Sequence, residues 1–404
     1  MSDVYDVAII GGGILGLSSA RHLLLLHPGL QVLVIEKDSH VAGQQTGHNS
    51  GVIHSGIYYR PGSLKAQFCV DGRNSIVEFC EQHGIAFERC GKLIMASREE
   101  ELPRMETLFE RGIANGVEEL EMVGPDRIAE IEPHVSAIKA LWSPATAIVD
   151  FSAITREYAR QLVDTGGTLE LNTRVTGITP RTDSVVIETD QGEREARHLI
   201  NCAGLHSDRI ARLMGVATDL QIVPFRGEYY TLKKDREHLV KGLIYPVPDP
   251  DLPFLGVHFT RNVKGYVEAG PNAVLATARE GYRKRDLNIR DFSETLGFPG
   301  FWRVAQREWK TGINEVNRSL RKSVFTHDLQ KMIPEIEGND LTTGGSGVRA
   351  QAVRRDGTLL DDFAIERTER AVHVLNAPSP GATSSLEIGK YIAGLAAESF
   401  SLGS

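Results

Sequence analysis

Residues 5–36 constrain the fold more than any other stretch of this chain. Tyr5–Ile10 reads as a buried strand, and Gly11-Gly12-Gly13-Ile14-Leu15-Gly16 follows as a glycine turn. A helical run with apolar Leu15, Leu17, Leu23 and Leu24 leads to a second strand, Gln31–Ile35, which stops at Glu36. The pattern is a βαβ unit with Gly-x-Gly-x-x-Gly at its first turn and an acid 20 residues after the last glycine. Each part has a physical role in holding an adenine dinucleotide. Gly11 permits the tight turn, Gly13 lets the backbone approach a pyrophosphate, and Gly16 lets the helix pack closely on the sheet. The helix N-terminus offers unpaired N–H groups to the phosphates. Glu36 can accept from both ribose hydroxyls, and its charge disfavours a 2′-phosphate.

A chain of 404 residues exceeds the size at which one core keeps growing, so two lobes are expected. The net charge of −8 argues against non-specific nucleic-acid binding, although local cations can still hold an anionic substrate. Cys69, Cys80, Cys90 and Cys202 show no Cys-x-x-Cys spacing, so neither zinc nor a redox pair is indicated. The first strand begins five residues from Met1, and no apolar run near it is long enough to cross a bilayer. The expectation is a cytoplasmic protein whose membrane contact, if any, is peripheral.

Further along, Pro61–Gly84, Glu99–Asn115 and Asp150–Thr165 read as helices, and Lys92–Ala96, Gly167–Thr173, Ser184–Thr189 and Ala196–Cys202 as strands. The last of these runs into Ala203-Gly204, a small-residue turn suited to facing a ligand. Phe225–Leu232, Leu255–Thr260 and Tyr266–Ala269 alternate as antiparallel strands, and Leu287–Leu329 is mostly helical. Val372–Asn376, the turn Ala377–Thr383 and the apolar helix Leu386–Phe400 close the chain. Dinucleotide-type segments at start, middle and end predict an α/β (α+β) protein with a discontinuous Rossmann-like FAD-binding domain, residues 1–90, 150–220 and 340–404. A mixed, largely antiparallel sheet, residues 91–149 and 221–339, is inserted as a substrate-binding domain.

Two polar turns complete the expected cofactor site. The loop Gln45–Gly56 suits wrapping of a pyrophosphate and flavin edge, or is a solvated glycine-rich turn. Ala377–Thr383 feeds the N-terminus of the last helix and offers N–H groups and a positive dipole to an electron-rich ring oxygen. Its bland reading is a Pro/Gly turn with a helix cap. The expected contacts to non-covalent FAD are Gly11, Gly13, Gly16, Glu36, Lys37, Thr46, Gly47, His48, Asn49, Ser50, Val175, Ala203, Gly204, Pro378, Gly381, Ala382 and Thr383.

With those residues in view, the chain resembles the FAD-dependent D-amino-acid oxidase/glycerol-3-phosphate dehydrogenase superfamily, and within it the L-2-hydroxyglutarate dehydrogenases (also called oxidases). The similar stretches are Gln45–Tyr59, Pro224–Tyr230, Ile244–Arg261 with Gly270–Ala276, and Gly347–Ala352 with Asn376–Ser385, in order along the whole chain. Gly381 stands where an Ala is more usual. The resemblance implies oxidation of L-2-hydroxyglutarate to 2-oxoglutarate with hydride passing to flavin N5, sn-glycerol 3-phosphate being the runner-up substrate. It also favours a membrane quinone as electron acceptor, with dioxygen the alternative.

Such chemistry needs a base and cations for two carboxylates. His54, in the loop beside the expected flavin, is the choice of base. In glycerol-phosphate relatives the His of the similar Ser-x-x-x-His segment is placed at the substrate hydroxyl. Arg349, in a Gly-x-Arg-Ala-Gln turn, leads the carboxylate binders because a guanidinium fork pairs with a carboxylate bidentately. Arg261 and Lys65 are second-rank cations, and Tyr59, Tyr245 and His258 are candidate pocket liners. The basic runs Lys233-Lys234 and Arg279–Arg285 are solvated faces or a surface for anionic lipid.

Overall fold

The computed structural model describes residues 4–249 and 255–402, so positions 250–254 of the Ile244–Arg261 motif lie outside the described residues. The opening βαβ unit forms as its pattern requires. Tyr5–Ile10 pairs in parallel with Val32–Ile35 on one side and with Gly192–Asn201 on the other. Ile10 lies opposite both Ile35 and Asn201, so the three strands end level, at Gly11, Glu36 and Cys202. Thr168–Glu170 and Ala371–Asn376 extend this sheet in parallel, and an antiparallel meander, Val175–Pro180 with Val185–Thr189, joins its edge.

Alternation decides which face each side chain covers. Val7 and Ile9 meet the helices Ile14–Leu26, Leu64–His83, Phe151–Asp164 and Ser385–Phe400, whereas Ala8 and Ile10 meet the meander. The helix bounds follow their caps. Ser63 accepts from the Ala66 amide at 3.2 Å and Asp150 from the Ser152 amide at 2.9 Å. Gly84 ends its helix in the left-handed conformation, at φ 65°.

Among the described residues the second large sheet has nine strands. Its order is Val274–Leu275, Leu220–Leu232, Val267–Gly270, His258–Arg261, Leu243–Pro246, Lys92–Ala96, Lys139–Ser143 and Glu121–Val123. Leu341–Arg354 lies along the other side of Leu220–Leu232, from Leu341 opposite Leu232 to Arg354 opposite Leu220, with a shift of register between Glu228 and Tyr230. The expected Gly-x-Arg-Ala-Gln turn is therefore corrected: Gly347–Gln351 is the middle of a strand. Its glycines hide the pattern, and crowding accounts for two of them. A Cβ on Gly347 would lie 2.5 Å from the His48 carbonyl oxygen, and one on Gly344 2.9 Å from the Tyr229 carbonyl oxygen. Residues 341–354, grouped by sequence with the cofactor segments, hydrogen-bond instead within the inserted sheet. A small third sheet, Val52–Ile53, Ala147–Val149 and Phe87–Glu88, ties the Gln45–Gly56 loop to the rest.

Candidate active site

The level strand ends open a crevice at the carboxyl edge of the parallel sheet, where dinucleotides bind in such folds. Gly11 turns the chain at φ 114°, and a Cβ there would lie 2.4 Å from the Cys202 carbonyl oxygen. The Gly16 Cα sits so close to the turn that a Cβ would be 2.0 Å from the Gly11 oxygen. Gly13 is different: a Cβ would meet only Thr46 Oγ1, at 3.4 Å, which leaves that flank open for a ligand. The amides of Gly13 and Leu15 have no backbone acceptor among the described residues. Glu36 is aimed across this turn, Oε2 accepting from the Gly12 amide at 2.7 Å and Oε1 from the Asp38 amide at 2.9 Å.

The loop after Glu36 is braced by its own polar groups. Thr46 Oγ1 accepts from the Ile14 amide at 3.1 Å. Asn49 donates to the Gln45 and Thr46 carbonyls and accepts from the Gly51 amide, while Gly47 packs on the Ala42 carbonyl. Half-buried Ser50 follows in the same loop. His48 is exposed and stacks on Tyr282 with ring centroids 4.0 Å apart. Lys37 is engaged by Asp38 at 2.7 Å and Glu280 at 3.0 Å. Gly204 backs onto Gln45 Oε1, and the Ala203 amide donates to Asn201. The Thr173 amide donates to the Glu36 carbonyl at 2.9 Å, which brings the strand beginning at Val175 beside the crevice.

At the other end of the site, the Pro378–Thr383 turn leads into the last helix. The Gly381 amide closes the turn on Pro378, but those of Ala382 and Thr383 have no backbone acceptor among the described residues. They point the positive end of a helix dipole at whatever occupies the cleft. Open amides at two helix starts, a glycine flank without a Cβ, and an acid fixed beside the first turn fit the phosphates, ribose and ring carbonyl of FAD.

Thr383 also fastens this turn to the candidate base. Its Oγ1 accepts from the His54 amide at 3.1 Å and donates to the Val52 carbonyl at 3.3 Å. His54 Nε2 lies 3.4 Å from Ser379 Oγ, which is itself 3.4 Å from the Tyr59 hydroxyl; Nδ1 is buried with no hydrogen-bond partner among the described residues. His258 comes from the inserted sheet. Its Nδ1 donates to the Gly256 carbonyl at 2.9 Å, and its ring stacks on Tyr245 at 3.9 Å. Lys92 stands over the Tyr58 ring at 4.5 Å and the Tyr245 ring at 5.3 Å.

These groups form one electrostatic cluster. Burial, then Lys92 and His258, push the His54 imidazole down to about 3. Burial, with Arg349 and Lys92 adding and the Gly256 hydrogen bond opposing, takes His258 to about 3. Burial alone pulls Lys92 down to about 8. Both imidazoles are therefore neutral at physiological pH, within reach of two cations. A neutral imidazole is free to accept a hydroxyl proton, and the neighbouring cations suit the carboxylates of a small hydroxy-acid anion.

The structure thus gathers His54, Tyr59, Tyr245, His258 and Arg349. Lys65 is at the rim, half-buried with Nζ 5.8 Å from the Tyr59 ring centre. Arg261 is not brought in. It alternates with His258 along the strand, on the face of core residue Phe259, and pairs at 3.9 Å with Glu88. Lys92, Tyr58 and Ser379 were missed by sequence reasoning. A charged residue opening the apolar strand Lys92–Ala96, all of it buried, was the one available signal for Lys92.

A fold with this crevice and this cluster is that of a flavin-dependent oxidoreductase, and the comparisons agree. The FAD dependent oxidoreductase family model matches residues 6–395, and the chain belongs to that family. It is 49% identical over 386 residues to the L-2-hydroxyglutarate dehydrogenase of Indibacter alkaliphilus, covering 95% of this chain and 97% of that one. It is 46% identical over 390 residues to the Escherichia coli K12 protein of the same name, covering 96% and 92%. Among solved structures, the FAD-bound L-alpha-glycerophosphate oxidase of Mycoplasma pneumoniae shares the fold, with a TM-score of 0.79 at 22% identity over 98% and 94% of the two chains.

Proposed function

We propose that this flavoenzyme oxidises L-2-hydroxyglutarate to 2-oxoglutarate with non-covalent FAD. The observation that carries the reading is the placement of His54. Its backbone is bonded to Thr383 in the turn that would cradle the flavin, and its neutral ring faces the Lys92, His258 and Arg349 cluster. His54 takes the proton of the substrate hydroxyl, while Arg349 pairs with a carboxylate and the Tyr59–Ser379 pair orients the hydroxyl. When bound, FAD supplies the acceptor for the two electrons that leave with the hydrogen of the oxidised carbon. The names of the similar Indibacter and Escherichia proteins support the substrate.

For the electrons we favour a quinone reached by peripheral contact with a membrane. No described helix is long and apolar enough to cross one. Support comes from a surface that sequence reading located only in part. In the run 279–285, Arg279 is buried against Asp208, but Arg283, Lys284 and Arg285 are exposed, as are Lys233 and Lys234. Beside the first run, Ile289, Trp302, Trp309, Ile313 and Leu320 are all at least half exposed on three short helices. Exposed tryptophans and aliphatics flanked by cations suit an interfacial contact with anionic lipid.

The experiment is anaerobic mixing of the yellow holoenzyme with candidate substrates. L-2-hydroxyglutarate should bleach the flavin band and sn-glycerol 3-phosphate should not. The reverse result, or a colourless protein that takes up no FAD, overturns the reading.

A further inference from the structure

Among the described residues, the other buried cations have carboxylate partners, and Lys92, in the candidate pocket, does not. Arg279 meets Asp208, Arg226 reaches Glu228 at 2.9 Å, and Arg73 reaches Glu118 at 3.3 Å. Lys92, only 1% exposed, has no carboxylate within ion-pair distance among the described residues and rests on the faces of Tyr58 and Tyr245. Ring faces stabilise a desolvated ammonium only partly, so the site as built calls for an anion. Two further groups are left open around it. The Tyr58 hydroxyl and His54 Nδ1 are buried without hydrogen-bond partners among the described residues.

Position separates Lys92 from Arg349. Gly347, two residues from Arg349, is pressed against the His48 carbonyl, so Arg349 rises beside the loop that wraps the cofactor. The strand of Lys92 lies on the far side of the strands carrying Tyr245 and His258, and His258 feels both cations. A chain molecule with an acid group at each end would be held between them. We propose that Lys92 receives the carboxylate remote from the oxidised carbon, and thereby selects a dicarboxylate over a monocarboxylate 2-hydroxy acid. This rests on the substrate reading above and names the residue that sets substrate length.

The test uses holoenzymes of the wild type, Lys92→Met and Lys92→Arg. Glutarate and butyrate serve as non-reacting probes, with affinity read from the shift in unfolding temperature. L-2-hydroxyglutarate and L-2-hydroxybutyrate serve as reductants. Lys92→Met should weaken glutarate binding and raise KM for L-2-hydroxyglutarate by about 100-fold, as expected for one lost partner of a buried charge pair. Butyrate affinity should change by less than about threefold, and Lys92→Arg should keep the preference for glutarate. Equal losses for mono- and dicarboxylates overturn the assignment. Should Lys92→Met lose its flavin or fold, Lys92→Gln takes its place with the same expectation: glutarate affinity falls and butyrate affinity does not. Glutarate binding tests Lys92 even if L-2-hydroxyglutarate fails to reduce the flavin, so failure of one reading is distinguishable from failure of the other.

Discussion

The pH dependence of substrate capture follows from the charges packed around His54 and Lys92. His54 faces Lys92, His258, Ser379 and Tyr59, and Lys92 faces His54, His258, Tyr58, Tyr245 and Cys69. A general base must be unprotonated, and His54, held down at about 3, is neutral throughout the working range. An imidazole titrating at its ordinary value near 6.5 would cost about thirtyfold in kcat/KM between neutrality and pH 5. Here kcat/KM should stay flat between pH 5 and 7.5. The alkaline side is governed by Lys92, whose charge is needed for binding and is lost as pH rises through about 8. Above that value kcat/KM for L-2-hydroxyglutarate should fall about tenfold per pH unit. Cys69, pushed up to about 12 by burial, contributes no limb in this range. In the complex, a bound dicarboxylate favours the protonated forms of both groups, so both limbs should move to higher pH in kcat than in kcat/KM. Anaerobic stopped-flow reduction of the flavin from pH 5 to 10 measures the two profiles. An acid limb near pH 6.5 in kcat/KM would show a solvated His54 and refute the reasoning. An alkaline limb that survives in Lys92→Met would refute the role of Lys92.

Three other outcomes are expected. His54→Asn should lower turnover by roughly 100- to 10,000-fold, the range for a general base, while the visible spectrum shows retained FAD. Asp208→Asn leaves buried Arg279 without its close carboxylate; urea unfolding should show a loss of about 3–5 kcal/mol. Vesicles of anionic lipid should sediment part of the protein at low salt and release it at high salt, with Trp302→Ser plus Trp309→Ser weakening the capture. No sedimentation at low salt would remove the membrane contact.

What the sequence alone determined here is local. The βαβ opening, the glycine turn and Glu36 were legible because strand and helix periodicity, the glycine turn and helix caps depend on neighbours within a few residues. The helices 64–83 and 151–164 were readable for the same reason, through Leu64, Phe68, Ile76 and Phe79 in one and Phe151, Ile154, Tyr158 and Leu162 in the other, at helical spacing. His54 and Arg349 were legible as chemistry, one in a polar loop and the other through a motif similar to known enzymes. The tertiary structure decided the rest. Leu341–Arg354 is a strand because its hydrogen bonds go to Leu220–Leu232, more than 100 residues away, and that partner outweighs the poor strand propensity of three glycines. Arg261, a second-rank cation by sequence, and His258, a candidate pocket liner, lie three residues apart, and the pleat sends them to opposite faces. Lys92 carried no motif; its function arises only where the strands of Lys92, Tyr245, His258 and Arg349 converge. Desolvation of a charge is a property of everything packed around it, contributed by segments far apart in the chain. Spacing along the chain therefore cannot express it.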